Sequence, residues 1–118
     1  FLNGEGRCSI HSFRPGICRL FPLGRYYHDG GFSYVLMTGE CKKENRSKIK
    51  IDKWLGEPDL KAYERFVMRW KEILEQAREM LSKASALEKQ KQISMSLLQK
   101  YYLTPCGSDF FAEFGVRE

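Results

Sequence analysis

The sequence predicts an α+β fold: an irregular cysteine loop and a small antiparallel sheet, followed by a long helical hairpin. Eight of the ten glycines and three of the four prolines lie in residues 1–58, and both residue types favour turns between short elements. Residues 59–104 contain neither, and their apolar side chains recur every three or four residues, as on one face of a helix. We interpret the 118 residues as a single domain, with the loop and sheet in residues 1–58 and the hairpin in residues 59–104.

The cysteine loop is predicted to fold back on itself at Pro15. The stretch RCSIHSFRPGICRLFPLGR, residues 7–25, places Cys8 and Cys18 ten positions apart. Pro15 can begin a short helical turn, because the first residue of a helix needs no backbone N–H. We therefore expect the two thiols to be neighbours in space, with both sulfur atoms facing one pocket.

Two segments are predicted to form the sheet. The sequence HDGG, residues 28–31, is a turn signal, and the run FSYVLM that follows it is rich in β-forming residues. The segment SKIKID, residues 47–52, alternates isoleucine with lysine, the period-two pattern of a half-buried strand. We expect these strands to pair, with Lys48 and Lys50 exposed and Ile49 and Ile51 packed inward.

Two apolar runs predict the helical hairpin, the first from Leu60 to Leu81 and the second from Leu87 to Tyr102. Pro58 marks the start of the first helix. The sequence SALE, residues 85–88, matches a capping box and places the connection near residues 82–85; a single unbroken helix is the alternative. The stretch DFFAEF predicts the start of a C-terminal helix. The residues expected to be largely buried between the two helices are Phe66, Trp70, Ile73 and Leu97.

Composition limits the cellular setting. No run of 18 apolar residues exists, so no membrane span is predicted. Four cysteines in a chain whose N-terminus lacks an export signal predict a reducing compartment, and hence a cytoplasmic protein. In that setting clustered cysteines are more often metal ligands or reactive thiols than disulfides.

The net charge of +5 is concentrated in the segment KKENRSKIKIDK, residues 42–53. Such a segment can bind an anionic partner. We do not expect nucleic-acid binding, because no stacking aromatic residues alternate with these lysines. A solvated edge strand is the simpler interpretation.

The cysteine loop offers ligands for a metal. A closed zinc site uses four nitrogen or sulfur ligands in a tetrahedron, and an iron–sulfur cluster uses thiolates. Because both centres are anionic here, nearby guanidinium groups would offset their charge and donate hydrogen bonds to sulfur. The candidate ligands are Cys8, His11, Cys18 and Cys41. The candidate outer-shell arginines are Arg14, Arg19 and Arg25.

Several of these residues also have a simpler interpretation. His11 is more often a surface or core-edge residue than a metal ligand. Cys18, beside Ile17 and Leu20, has the surroundings of a small buried hydrophobic residue. The simpler interpretation of Arg14 and Arg19 assigns them to carboxylate bridges or to helix C-termini. A catalytic Cys8–His11 pair ranks low, because no third group or oxyanion hole can be assigned to it.

Three stretches carry a family resemblance: FLNGEGRCSIHSFRPGICRLFPLGRYY, ECKKENRSKIKIDKWLGEPDLKAYERF and LLQKYYLTP. They resemble the bacterial cysteine-cluster family described as a zinc- or iron-chelating domain (the YkgJ type), over nearly the whole chain. The resemblance implies that Cys8 and Cys18 are metal ligands. It does not make His11 a fixed ligand, and Cys106 stands where the family tends to have tyrosine. The family's upstream cysteine cluster is missing, so we expect an N-terminally truncated fragment with half of the site.

The sequence therefore predicts a metal-binding cysteine-cluster module, zinc or iron–sulfur, whose site is incomplete in this chain and which binds metal weakly by itself. Some members of the family resemble flagellin lysine N-methylase, so a lysine N-methylase-like enzyme fragment is one alternative, and catalysis is left open. A second is an interaction module that binds an anionic partner through residues 42–53. A third is a structural helical hairpin with relic cysteines. A protein partner is compatible with each of these.

Overall fold

Short elements lie before Pro58 and long helices after it, as the distribution of glycine and proline predicts. The computed structural model describes residues 1–40, 44 and 47–117. The chain divides into two units, Phe1–Pro58 and Asp59–Glu118. Within the described residues, five α-helices and one two-stranded antiparallel sheet confirm the α+β fold class. The single-domain interpretation stays a prediction.

A β-hairpin forms the sheet of the first unit. Strand β1 (Leu23–His28) pairs with strand β2 (Gly31–Leu36), with Leu23 opposite Leu36 and His28 opposite Gly31. Two residues, Asp29 and Gly30, connect the strands, and Gly30 has φ 83°. Two-residue hairpin turns require positive φ, which glycine adopts without steric cost. The strand predicted after the HDGG turn is thus confirmed as β2.

The strand predicted over residues 47–52 is wrong. Ile51–Leu55 is a helix, α2, and Gly56 at φ 65° ends it by donating its N–H to the Asp52 carbonyl oxygen. Ile49 is 54% exposed and does not pack inward. An alternation of only two isoleucines is too short to outweigh the helix-ending signal of Gly56. Residues 41–43, 45 and 46, which hold much of the basic segment, lie outside the described residues.

Helix α1 (Gly16–Leu20) confirms the predicted helical turn, but Pro15 is its N-cap residue and not its first helical residue. A 3₁₀ turn, His11–Phe13, precedes it. Helix α1 packs against α2, where Leu20 and Leu55 are the buried residues, at 3% and 4% exposure. The Arg19 Nη1 donates a hydrogen bond of 3.4 Å to the Leu55 carbonyl oxygen. Apolar burial and this bond hold the two short helices together.

The second unit contains the predicted helical hairpin. Its helices are α3 (Leu60–Lys83), α4 (Leu87–Leu97) and α5 (Phe110–Val116), and a π-helical turn, Leu98–Leu103, continues α4. Residues 84–86 are not helical, so α3 and α4 are two separate helices and not one unbroken helix. The predicted capping box is wrong, since the N-cap of α4 is Ala86 and no side chain caps it. Instead Gln90 Nε2 donates to the Ala84 carbonyl oxygen at 2.7 Å.

An aromatic cluster joins α3 to α5. The Phe114 ring, 7% exposed, lies 4.8 Å from the Phe66 ring and 6.2 Å from the Trp70 ring, measured between centroids. Of the four residues predicted to be largely buried between the helices, Ile73 is buried and Phe66, Trp70 and Leu97 are partly buried. Phe66 packs against rings of α5, not of α4. Helix α4 has no buried residue. Part of the apolar face of α3, which the sequence pattern predicted to pack on α4, packs on α5 instead.

Candidate functional site

Cys8 is held by a turn at the start of the chain. The Asn3 Oδ1 accepts hydrogen bonds from the backbone N–H groups of Glu5 and Arg7, at 3.1 and 2.8 Å. Leu2 and Cys8 then form an antiparallel β-bridge. Because asparagine side chains commonly stabilise turns in this way, Asn3 was a detectable signal that our sequence analysis did not use. The Cys8 thiol is free and exposed.

Cys18 lies on the outer side of α1. Each residue of an α-helix turns the chain by about 100°, so residues two apart point to nearly opposite sides. Leu20 is buried against α2, and Cys18 is correspondingly free and exposed. Ile17, its neighbour, is 70% exposed. The alternative that Cys18 is a small buried hydrophobic residue is therefore wrong.

His11 begins the 3₁₀ turn that follows Cys8, and its backbone N–H donates to the Cys8 carbonyl oxygen at 3.3 Å. The His11 side chain is exposed. Across residues 1–40, 44 and 47–117, no three histidine, cysteine or acidic side chains are grouped so as to hold a metal ion. Cys41 lies outside those residues. The described residues therefore do not by themselves fit a closed zinc site or an iron–sulfur cluster, either of which needs four ligands.

The three candidate arginines differ in their surroundings. Arg14 is exposed. Arg19 is partly buried between α1 and α2, and its Nε atom has no hydrogen-bond partner in the described part of the chain. The Arg25 guanidinium lies over the Phe32 ring, 5.6 Å from its centroid. A role for these arginines beside a metal–thiolate group stays a prediction.

Cys106 belongs to the second unit, in the connection between the π-helical turn and α5, and is free and exposed. The resemblance does not count it among the ligands, and the chain thus provides a third exposed thiol outside the first unit. It is a matched control for the two cysteines of the loop.

Comparisons of the chain with protein-family models, curated proteins and solved structures returned no match. The family resemblance therefore stays a prediction carried by the three stretches quoted above. None of the helices described is both long enough and apolar enough to cross a membrane.

Proposed function

We propose that the first unit is a metal-binding module in which the thiolates of Cys8 and Cys18 are two ligands of one zinc ion or one iron–sulfur cluster. The observation that carries this proposal is the exposure of both thiols. Only an accessible thiolate can bind a metal from solution, and structural cysteines are typically buried and inert.

The local scaffold supports the proposal. Cys8 follows a turn organised by the Asn3 side chain, and Cys18 projects from a helix anchored at Leu20. Neither cysteine contributes to the buried core of the unit. A substitution of either thiol should therefore change metal binding without changing the fold, which makes the two properties separable by experiment.

The ligand set determines the expected affinity. Two thiolates leave a tetrahedral ion two ligands short. Three candidates could fill the remaining positions. They are His11, which begins the 3₁₀ turn after Cys8, Cys41, and thiolates from another segment or chain. We expect the 118-residue chain to bind zinc weakly, because structural sites reach apparent binding energies of about 10–16 kcal/mol only with all four ligands in place.

Cobalt titration tests thiolate ligation. Co²⁺ replaces Zn²⁺ in sites of this kind, and sulfur bound to cobalt gives a charge-transfer band in the near ultraviolet. We expect that band in the reduced wild-type chain, and we expect Cys8→Ser and Cys18→Ser each to weaken it. Cys106→Ser is the matched control and should leave it unchanged. Equal spectra for the wild type and the double variant Cys8→Ser/Cys18→Ser would contradict the proposal.

A further inference from the structure

Asn3 and Gly4 begin the exposed turn that precedes Cys8. Both residues are exposed, and the Gly6 N–H closes the turn by donating to the Asn3 carbonyl oxygen at 3.0 Å. The side-chain amide of an asparagine can be attacked by the backbone nitrogen of the residue that follows it. The surroundings of these two groups therefore decide whether the pair Asn3–Gly4 reacts.

The Gly4 nitrogen is accessible as a nucleophile. Its N–H makes no hydrogen bond to any residue in the described part of the chain. Outside its two chain neighbours, no atom lies within 4 Å of the position that a Cβ at Gly4 would take. Glycine also has no side chain of its own to hinder the approach of its nitrogen. The nitrogen can therefore approach a neighbouring carbon without first breaking a hydrogen bond.

The Asn3 side-chain carbonyl is polarised by two backbone donors. Its Oδ1 accepts hydrogen bonds from the Arg7 N–H at 2.8 Å and from the Glu5 N–H at 3.1 Å. Oxyanion holes place their donors at about 2.7–3.1 Å from the oxygen on which negative charge develops. The Asn3 Nδ2 donates no hydrogen bond within the described residues, so nothing there holds the leaving amine. The turn that precedes Cys8 thus stabilises the charge that forms on Oδ1 when Asn3 Cγ is attacked.

We propose that Asn3–Gly4 is a site of spontaneous deamidation and that the folded turn promotes the reaction. The Gly4 nitrogen forms a bond to Asn3 Cγ and loses its proton. The Cγ–Nδ2 bond breaks, and Nδ2 leaves as ammonia with that proton, so that a succinimide ring remains. Water then adds to one of the two carbonyl carbons of the ring and breaks its bond to nitrogen. The products carry aspartate or isoaspartate at position 3.

The two products differ in their effect on the turn. An aspartate keeps a carboxylate oxygen in the place of Oδ1, and its charge strengthens the two hydrogen bonds that this oxygen accepts. Isoaspartate routes the main chain through the side chain and adds one methylene group to the backbone between Leu2 and Cys8. The added group displaces the register of the β-bridge that joins these two residues. One product therefore preserves the turn, and the other disrupts it.

Peptide mapping by mass spectrometry measures the reaction in the full 118-residue chain during incubation in neutral buffer. We expect the peptide that contains Asn3 to gain the mass difference between an amide and a carboxyl group. The peptide that contains Asn45, the other asparagine of the sequence, is the internal control. It should react at least about tenfold more slowly, a factor that corresponds to a barrier higher by about 1.4 kcal/mol. Gly4→Ala should slow the reaction of Asn3 by the same factor and keep the fold, because Gly4 does not have positive φ.

The contribution of the fold is tested by the same measurement in guanidinium chloride at a concentration that unfolds the chain. The native sample contains sodium chloride at the same concentration, so that the ionic strengths match. Unfolding removes both hydrogen bonds to Asn3 Oδ1, and we therefore expect Asn3 to react faster in the native protein than in the unfolded chain. An equal or lower rate in the native protein would overturn the proposal, as would equal rates for Asn3 and Asn45 in the native protein.

Discussion

Phe114→Ala is expected to lower the free energy of unfolding of the second unit by about 3–5 kcal/mol, the range for large aromatic truncations in cores. Phe114 is the buried centre of the aromatic cluster, with rings from Phe66, Trp70, Tyr101 and Phe110 at 4.8, 6.2, 5.7 and 6.0 Å. Its removal leaves a cavity and also removes ring contacts that link α5 to α3. Since whole domains are stable by about 5–15 kcal/mol, this is a large fraction of the total.

A denaturant melt followed by circular dichroism measures this effect. Val116→Ala, in the same helix at 88% exposure, is the matched control and should lie within about 0.5 kcal/mol of the wild type. Equal midpoints for Phe114→Ala and Val116→Ala would show that α5 does not stabilise the unit. The described packing of α5 on α3 would then be wrong.

Leu20→Ala is expected to have the largest effect in the first unit, at about 2–5 kcal/mol. Leu20 is 3% exposed and is the buried residue of α1. A five-residue helix is not stable by itself, so α1 depends on this contact with α2. The substitution should therefore loosen the helix that carries Cys18 and lower the midpoint of a denaturant melt.

Ile17→Ala is the control for this prediction, because Ile17 lies on the same helix at 70% exposure. It should change the free energy of unfolding by no more than about 0.5 kcal/mol. The expected order of stability is thus wild type and Ile17→Ala together, well above Leu20→Ala. If both substitutions were equally mild, α1 would not be anchored at Leu20, and the stated orientation of Cys18 would be wrong.

Local patterns in the sequence predicted the long elements of the fold well. The three- and four-residue periodicity of residues 60–81 gave α3, because a helix of 24 residues repeats its apolar face many times. The turn signal at Asp29 and Gly30 gave β2. Its partner β1 was missed, since Gly24 and Arg25 interrupt the β-forming residues of that strand. Short segments repeat their pattern too few times to be decisive, and the same reason accounts for the wrong strand at residues 47–52.

Local sequence patterns could not predict features that depend on contacts between distant parts of the chain. Cys18 lies beside Ile17 and two residues before Leu20, yet the side of α1 that becomes buried is set by α2, more than thirty residues away. Likewise, residues 87–102 contain apolar side chains on two sides of α4, and only one side meets α3. Periodicity counts apolar residues but does not say which face finds a partner. The candidate ligands could be named from the sequence, whereas their exposure required the structure.

The most direct test of the central claim is a double-mutant cycle on zinc affinity, measured by competition with a chromophoric chelator in reduced protein. If Cys8 and Cys18 bind one ion, each single serine substitution should weaken binding by at least about tenfold. The chain should bind one zinc ion, and the double variant should bind it more weakly than either single variant or no better than the weaker one, because both substitutions act on the same ion. Two zinc ions per chain, of which each single variant loses a different one, would place the two thiols on separate ions, and wild-type affinity in the double variant would exclude both as ligands. Either result would contradict a shared metal site in the cysteine loop.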